Sequence, residues 1–297
     1  VFTLQEVLKA YLDCRSNKRN KPTSIEFEQL QDDELPRLTH ELNTGEYQIG
    51  RSTCFAITKP KFREVWAAEF RDRIVHHVII NRIQHQFQKQ FIHDSYACIK
   101  GRGSLHGARR IHKKMRQASE NWTKKANYLQ ADIANFFVSI DKNVLSDLIL
   151  PHIQCVRTRE LTRQIIWHDP ALNHIKTSPE RLLQQVPRHK SLFNCCYGKG
   201  LPIGNLSSQF FANVYMNALD QYVKRELKIK HYGRYVDDII MIGDCPTELN
   251  EAFEKVRTFA EDRWIKLTVT WWLTVWIFAV TSCYPTECTL AGEQLTK

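Results

Sequence analysis

The sequence predicts an α+β fold, on three observations. Apolar residues recur at helical spacing in three separated segments, a short apolar strand ends at Asp132, and two further apolar strands meet at the acidic turn Asp237-Asp238. At 297 residues with 43 % hydrophobic and 11 % aromatic content, the chain can build one large or two modest cored domains, which excludes disorder as its main state. A surplus of ten positive charges suits a polyanionic partner such as nucleic acid.

Leu4, Val7, Leu8, Tyr11 and Leu12 lie at helical spacing and predict a helix within residues 1–15; the polar, basic stretch Cys14 to Pro22 then reads as a loop. From Glu64 onward, Trp66, Phe70, Ile74, Val78 and Ile79 form a second helical stripe, with Arg63, Arg71, Asp72, Arg73 and Arg82 interspersed. Tyr128 to Phe137 opens as a strand and turns at Asp132, because the apolar run is too short for a helix of its own. After the polar stretch 155–191, the Gly- and Pro-punctuated segment Gly198 to Gln209 reads as a loop feeding a helix through Phe210, Val214, Ala218 and Tyr222. His231 to Gly243 reads as a β-hairpin, and no internal repeat is found.

The composition changes after Leu267, where only Glu287, Glu293 and Lys297 are charged and Trp271, Trp272 and Trp276 crowd together. The run Val269 to Tyr284 falls short of the roughly 20 apolar residues of a membrane span, so no membrane role is expected. Nine cysteines lack zinc-site spacing and no signal peptide opens the chain, which predicts free thiols in a reducing cytoplasm. The first residue is Val1, which fits an unusual start codon or a fragment.

Adjacent carboxylates at a tight turn repel unless a cation lies between them or one is protonated. An exposed, water-screened turn is the bland reading of Asp237-Asp238, but the apolar strands that flank it argue for a held position. Asp132 ends a comparable strand, and three convergent carboxylates make a hard-oxygen site suited to two Mg²⁺ ions, the equipment of nucleotidyl transfer. No G-x-S-x-G elbow or H-E-x-x-H helix supports a hydrolase.

These residues resemble a reverse transcriptase. Tyr235-Val-Asp-Asp238 is similar to the family's Y-x-D-D hairpin, and Asp132 with Phe136-Phe137 to its first palm motif; Thr58-Lys-Pro-Lys61-Phe-Arg63-Glu64 is similar to its fingers strand. The resemblance implies a right-hand polymerase fold of fingers and palm, with residues 1–127 as N-terminal helix and fingers and 128–267 as palm carrying a fingers insertion near 145–200. It implies Asp132, Asp237 and Asp238 as catalytic metal ligands, helped by the Ile133 carbonyl, holding two Mg²⁺ ions for which Mn²⁺ can substitute. Lys61 and Arg63 are implied as triphosphate contacts, with a solvated charged face as the alternative, and Phe137 as the steric gate against a ribose 2′-OH. Arg102, in Lys100-Gly-Arg-Gly103, and Tyr235 are expected to approach nucleic acid.

Ile203-Gly204-Asn-Leu-Ser-Ser-Gln209 resembles the corresponding loop in reverse transcriptases of diversity-generating retroelements, where Ile replaces a glutamine and Gln a proline. Ile203, Gly204 and Gln209 are thereby expected to border the incoming nucleotide, and an apolar side chain there removes a hydrogen bond that supports discrimination. The resemblance implies low-fidelity copying of a template RNA from a DNA or RNA primer with deoxynucleoside triphosphates, an oligomeric accessory protein, and a bacterial or phage-encoded cytoplasmic setting. Retron and group II intron enzymes are the alternative within the class; a nucleic-acid-binding remnant without turnover is the alternative outside it.

The resemblance ends near Leu267, where a primer-grip hairpin and a basic thumb are expected; the thumb is absent or aberrant as the chain reads. The codons of Thr274 to Val280, read from each third base, allow G-V-D-F-x-G, and those of Tyr284 to Lys297 allow an arginine-containing string in the same offset. A frame change near Thr268 accounts for both, which makes 268–297 an atypical segment in place of primer grip and thumb.

Overall fold

The computed structural model describes residues 1–16, 18–59 and 61–262, together with the backbone of Leu267–Val275. Residues 276–297, and with them most of the strings in the shifted frame, lie outside the described residues.

The predicted first helix is α1 (Leu4–Arg15), started by a capping box in which Thr3 and Glu6 satisfy each other's backbone amides. Its buried stripe is narrower than predicted: Val7, Ala10, Tyr11 and Cys14 face the core, while Leu4, Leu8 and Leu12 are exposed. The following loop ends where Pro22 opens α2 (Pro22–Gln29), and α3 (Gln31–Thr44) runs to a left-handed Gly45.

The stripe assigned to one helix from Glu64 is two elements. Strand β1 (Ser52–Ile57) pairs antiparallel with β2 (Arg63–Ala67), and α4 (Phe70–Gln88) begins only at Phe70. Glu64 and Trp66 alternate inward along β2, so a strand period of two coincides with a helical spacing over this short window, and pairing with β1 decides. The charges of α4 are structural. Buried Asp72 accepts from the Tyr47 hydroxyl at 2.7 Å and the Gly50 amide at 3.0 Å, Arg71 pairs with Glu41, and Arg82 bonds Glu6.

Helix α5 (Ser104–Ala118) precedes β3 (Ala126–Ile133), which is two residues longer at its start than the sequence suggests. A short α6 (Phe136–Ser139) and α7 (Lys142–Ile149) follow. The stretch 155–191 is not merely polar: it holds α8 (Val156–Trp167), β4 (His174–Lys176) and α9 (Glu180–Leu183). Helix α10 (Leu206–Gln221) starts before Gln209, so the last residues of the predicted loop are already helical. The hairpin forms as β5 (His231–Tyr235) and β6 (Asp238–Gly243), followed by α11 (Pro246–Glu261) and β7 (Leu267–Val275).

Two sheets result. A three-stranded sheet, β2-β1-β4, is backed by a small cluster of Cys54, Trp66, Leu183 and Leu192. A four-stranded antiparallel sheet, β5-β6-β3-β7, turns Leu129, Ala131, Ile133, Ile239 and Met241 into the main core with α4 and α10, whereas Tyr128, Gln130, Asp132 and Asp238 lie half-buried on the opposite face. The seven described cysteines are free thiols. Among the described residues no helix is long and apolar enough to cross a membrane.

Candidate active site

Strand register assembles the acidic centre. Tyr235 pairs with Asp238, which leaves Val236 and Asp237 as a two-residue hairpin turn. Val236 takes φ +56°, a left-handed conformation that is costly for a β-branched side chain and persists only where its surroundings enforce it. Arg234 supplies the enforcement by donating from Nη1 to the Val236 carbonyl at 2.7 Å. Its guanidinium is fully buried in a fork on Asp220 of α10, with Nε–Oδ1 at 2.9 Å and Nη2–Oδ2 at 2.7 Å. The Tyr232 hydroxyl donates to the same carboxylate at 2.7 Å, and Asn213 and Ser95 accept the remaining guanidinium protons.

On the neighbouring strand, Ala131 pairs with Ile239, which carries Asp132 to the Asp238 end of β6. Asn135 in the left-handed region then swings the chain into α6. The three carboxylates lie within one another's field. Burial, and then the charges of Asp132 and Asp238, push the Asp237 carboxyl up to about 6, against the pull of Arg63. Burial and the Asp238 charge also raise Asp132, opposed by a hydrogen bond from the Ile133 backbone and by the charges of Lys61 and Lys190. Asp238 accepts from Gln130 Nε2 at 3.1 Å, and Gln130 in turn accepts from the Tyr128 hydroxyl at 3.2 Å.

Among the described residues, no three His, Cys, Asp or Glu side chains stand close enough together, as they are, to chelate a metal ion. The donor set nevertheless fits hard divalent cations: all three groups are carboxylates, and the repulsion that raises Asp237 and Asp132 is what a cation between them would relieve.

The fingers sheet faces this centre with positive charge. Lys61 and Arg63 are exposed, and their fields reach Asp132 and Asp237 respectively. The loop ahead of α10 is clamped to the same strand: the Ile203 carbonyl accepts from the Trp66 amide at 2.7 Å, and Asn205 Oδ1 from the Ala68 amide at 3.2 Å. Gly204 has φ +121°, and a Cβ there would lie 2.8 Å from Val65 Cγ1 and 3.0 Å from the Trp66 carbonyl oxygen, so only glycine allows the approach.

The other predicted residues are placed as follows. Phe137 is half-buried, its ring 5.4 Å from that of Phe136, and its carbonyl accepts from the Leu201 amide at 2.8 Å. Gln209 is exposed and accepts from the Cys98 thiol at 3.2 Å. Arg102 donates to the carbonyls of Ile92 and Ser95, so part of its guanidinium is engaged in holding that loop. Tyr235 is partly exposed beside Asp238 and lines a cleft of about 510 Å³ with Tyr128, Gln130 and Ile240. Ile133 is buried at the end of β3.

Sequence reasoning did not single out Arg234, Asp220 or Glu64. The first had a signal in the sequence, since a charge at an inward position of an apolar strand needs a buried partner. The others are brought in by tertiary contacts.

The reverse transcriptase (RNA-dependent DNA polymerase) family model matches residues 57–271. Among solved structures, the apo telomerase from Candida tropicalis truncated from its C-terminal domain aligns with a TM-score of 0.51 at 11 % identity, over 78 % of this chain and 51 % of that one. The chain therefore spans about half the length of that protein, and the likeness shows the fold, an α+β polymerase arrangement of fingers and palm. No curated protein matches by sequence. With the family's match covering most of its length and running from the fingers strands through both acidic motifs, the chain belongs to the reverse transcriptase family.

Proposed function

We propose that this chain is the fingers and palm of an RNA-templated DNA polymerase that joins a deoxynucleotide to a primer 3′-hydroxyl. The observation that carries this reading is the strand register that brings Asp132 to the Asp237-Asp238 turn, within reach of the charges of Lys61 and Arg63 at the start of β2. Asp132, Asp237 and Asp238, with the Ile133 carbonyl, are the groups to hold two Mg²⁺ or Mn²⁺ ions, whose chemistry is to acidify the primer hydroxyl and neutralise the leaving pyrophosphate. Lys61 and Arg63 bind the triphosphate as point charge and planar fork. Phe137 presents its ring to the sugar and excludes a ribose 2′-OH. Arg102 and Tyr235 contact the primer–template, Tyr235 from its place beside Asp238.

Primer extension on an RNA template tests this directly. Asp237→Asn is expected to lower extension by at least about 10³-fold while leaving primer–template affinity within about threefold. Duplex binding without extension by the unaltered chain identifies a non-catalytic remnant instead.

The finer reading is a polymerase of the diversity-generating retroelement type. It is supported by the sequence Ile203 to Gln209 and by the clamp that holds Ile203 and Gly204 against β2. Gln209, in the first turn of α10, completes that border of the nucleotide site. Template RNA, a primer, deoxynucleoside triphosphates and an oligomeric accessory protein are its partners, in a bacterial or phage-encoded setting. Sequencing of the cDNA should show errors concentrated at template adenines, and an even error spectrum assigns the chain to the retron or group II intron type. The frame change near Thr268 belongs to the same reading; the family match stops at residue 271, close to that point. The DNA sequence around codon 268 decides it.

A further inference from the structure

A cavity of about 660 Å³ lies between the C-terminal end of α3 and helix α8, bounded by Gly45 on one side and by Arg157, Arg163, Gln164 and Trp167 on the other, with Tyr197 at its rim. Its walls are fixed. Arg157 donates from Nη2 to the Thr44 carbonyl and from Nη1 to the Glu160 carboxylate, both at 3.1 Å. Gly45, at φ +90°, makes room for that guanidinium, because a Cβ there would lie 2.6 Å from Nη1. Trp167 donates from Nε1 to Ser146 Oγ at 3.1 Å, which sets the plane of its ring.

Tyr197 is 96 % exposed, and its ring lies 6.1 Å from that of Trp167 at an angle of 45°. Arg163 is exposed as well. The acid in the lining, Glu160, is taken up by Arg157, so the charge left at the cavity is positive. Aromatic faces beside a guanidinium suit a nucleobase and its phosphate: the rings stack on any base, and the cation holds the backbone. An apolar protein segment would use the rings but leave Arg163 without a role. Charge complementarity therefore favours nucleic acid, in a chain with a surplus of ten positive charges.

A short length of chain joins the cavity to the proposed nucleotide site. Next to Tyr197, the Gly198 carbonyl accepts from the Lys142 amide at 2.8 Å. The Gly200 and Leu201 amides then donate to the carbonyls of Ile140 and Phe137 at 2.9 and 2.8 Å, and Ile203 is clamped to β2. The strand that runs unpaired ahead of the incoming nucleotide is the template, and this segment leads from that nucleotide to Tyr197.

We propose that the cavity between α3 and α8 binds an unpaired nucleotide of the template RNA, with its base stacked on Tyr197 and Trp167 and its phosphate held by Arg163. The identity of the strand rests on the polymerase reading; the stacking site rests on the cavity itself.

The test measures the affinity of the full chain for two RNA–DNA primer–templates, one blunt and one with an unpaired 5′ template overhang of about six nucleotides. The overhang is expected to tighten binding. Tyr197→Ala should weaken the overhang substrate about tenfold and leave the blunt one within about twofold, while Tyr197→Phe, which keeps the ring, retains the affinity. Arg163→Gln should lower the slope of log affinity against log salt by about 0.7 on the overhang substrate alone. Thermal unfolding of each variant checks that the fold is unchanged, as the exposure of both side chains predicts. An overhang that adds no affinity overturns the proposal. So does a Tyr197→Ala protein that binds both substrates like the unaltered chain, which is the outcome for a cavity that takes a protein segment. Equal weakening on both substrates also overturns it, because Tyr197 then touches the duplex. Primer extension on the same substrates judges the polymerase reading separately: overhang-dependent binding without extension sinks that reading and leaves a site for single-stranded RNA.

Discussion

Gly204 shows how a single residue couples the two halves of the cleft. With φ +121° and no room for a Cβ against Val65 and the Trp66 backbone, Gly204→Ala should cost roughly 1–3 kcal/mol, because both the torsion and the clash act on backbone that cannot retreat cheaply. Chemical denaturation with and without the substitution measures it. A loss under about 0.5 kcal/mol would mean that the Ile203 clamp on β2 is loose. At this scale much of the site was legible, since Asp132, Asp237 and Asp238 each sit in a short local pattern in which like charges meet apolar strands. The tie between Glu64 and Leu192 was not legible, because it joins residues 128 apart and nothing local marks it.

The hairpin owes its shape to an element it only touches. Arg234→Met should destabilise the protein by about 3–5 kcal/mol, because Asp220 is left buried and unpaired. The double substitution Arg234→Met with Asp220→Leu should regain a large part of that stability without regaining extension, since the Val236 carbonyl loses its anchor in either case. Thermal unfolding and primer extension on the same two proteins separate the roles; recovery of both together would show that the turn holds its own shape. Among the elements, the hairpin and α10 were readable because their patterns are long and unmixed. Strand β2 was misread as helix because Trp66, Phe70 and Ile74 continue a four-residue spacing across the boundary between two elements, and only pairing with β1 reveals the boundary. Helices α2 and α8 went unassigned for a related reason: one is eight residues long, and the other carries four charged side chains among its twelve residues.

For the molecule as a whole, pH acts through the packing of α4 on α10. His76 is fully enclosed there, with the Ser207 hydroxyl 3.4 Å from Nδ1, and burial pushes its imidazole down to about 3; His168, His77 and Arg73 press in the same direction. An imidazole that stays neutral when folded but gains a proton when unfolded contributes its full stability above pH 6.5 and loses it as the pH falls toward 3. Between pH 7 and pH 5 the cost is roughly 2 kcal/mol. Denaturation curves across that interval should therefore be steeper in pH for the unaltered protein than for His76→Gln, and parallel curves would mean that His76 is hydrated. The α+β class was legible because the patterns of α1, α10 and the hairpin are long and unmixed, and the fingers-and-palm arrangement followed from the motif resemblance. The N-terminal layer did not, because α3 carries an internal Pro36 and three acids in its first turn, which disguise the stripe of Leu35, Leu38 and Leu42.

The palm sheet places the Asp132 strand third of four, with Leu267–Val275 along its outer side and Thr268 opposite Asp132 itself. The last described strand is thus a lateral guard as well as a continuation. A chain that stopped before it would leave a row of unsatisfied amides and carbonyls beside Asp132, open to whichever extended peptide arrived first, so self-association is the expected result.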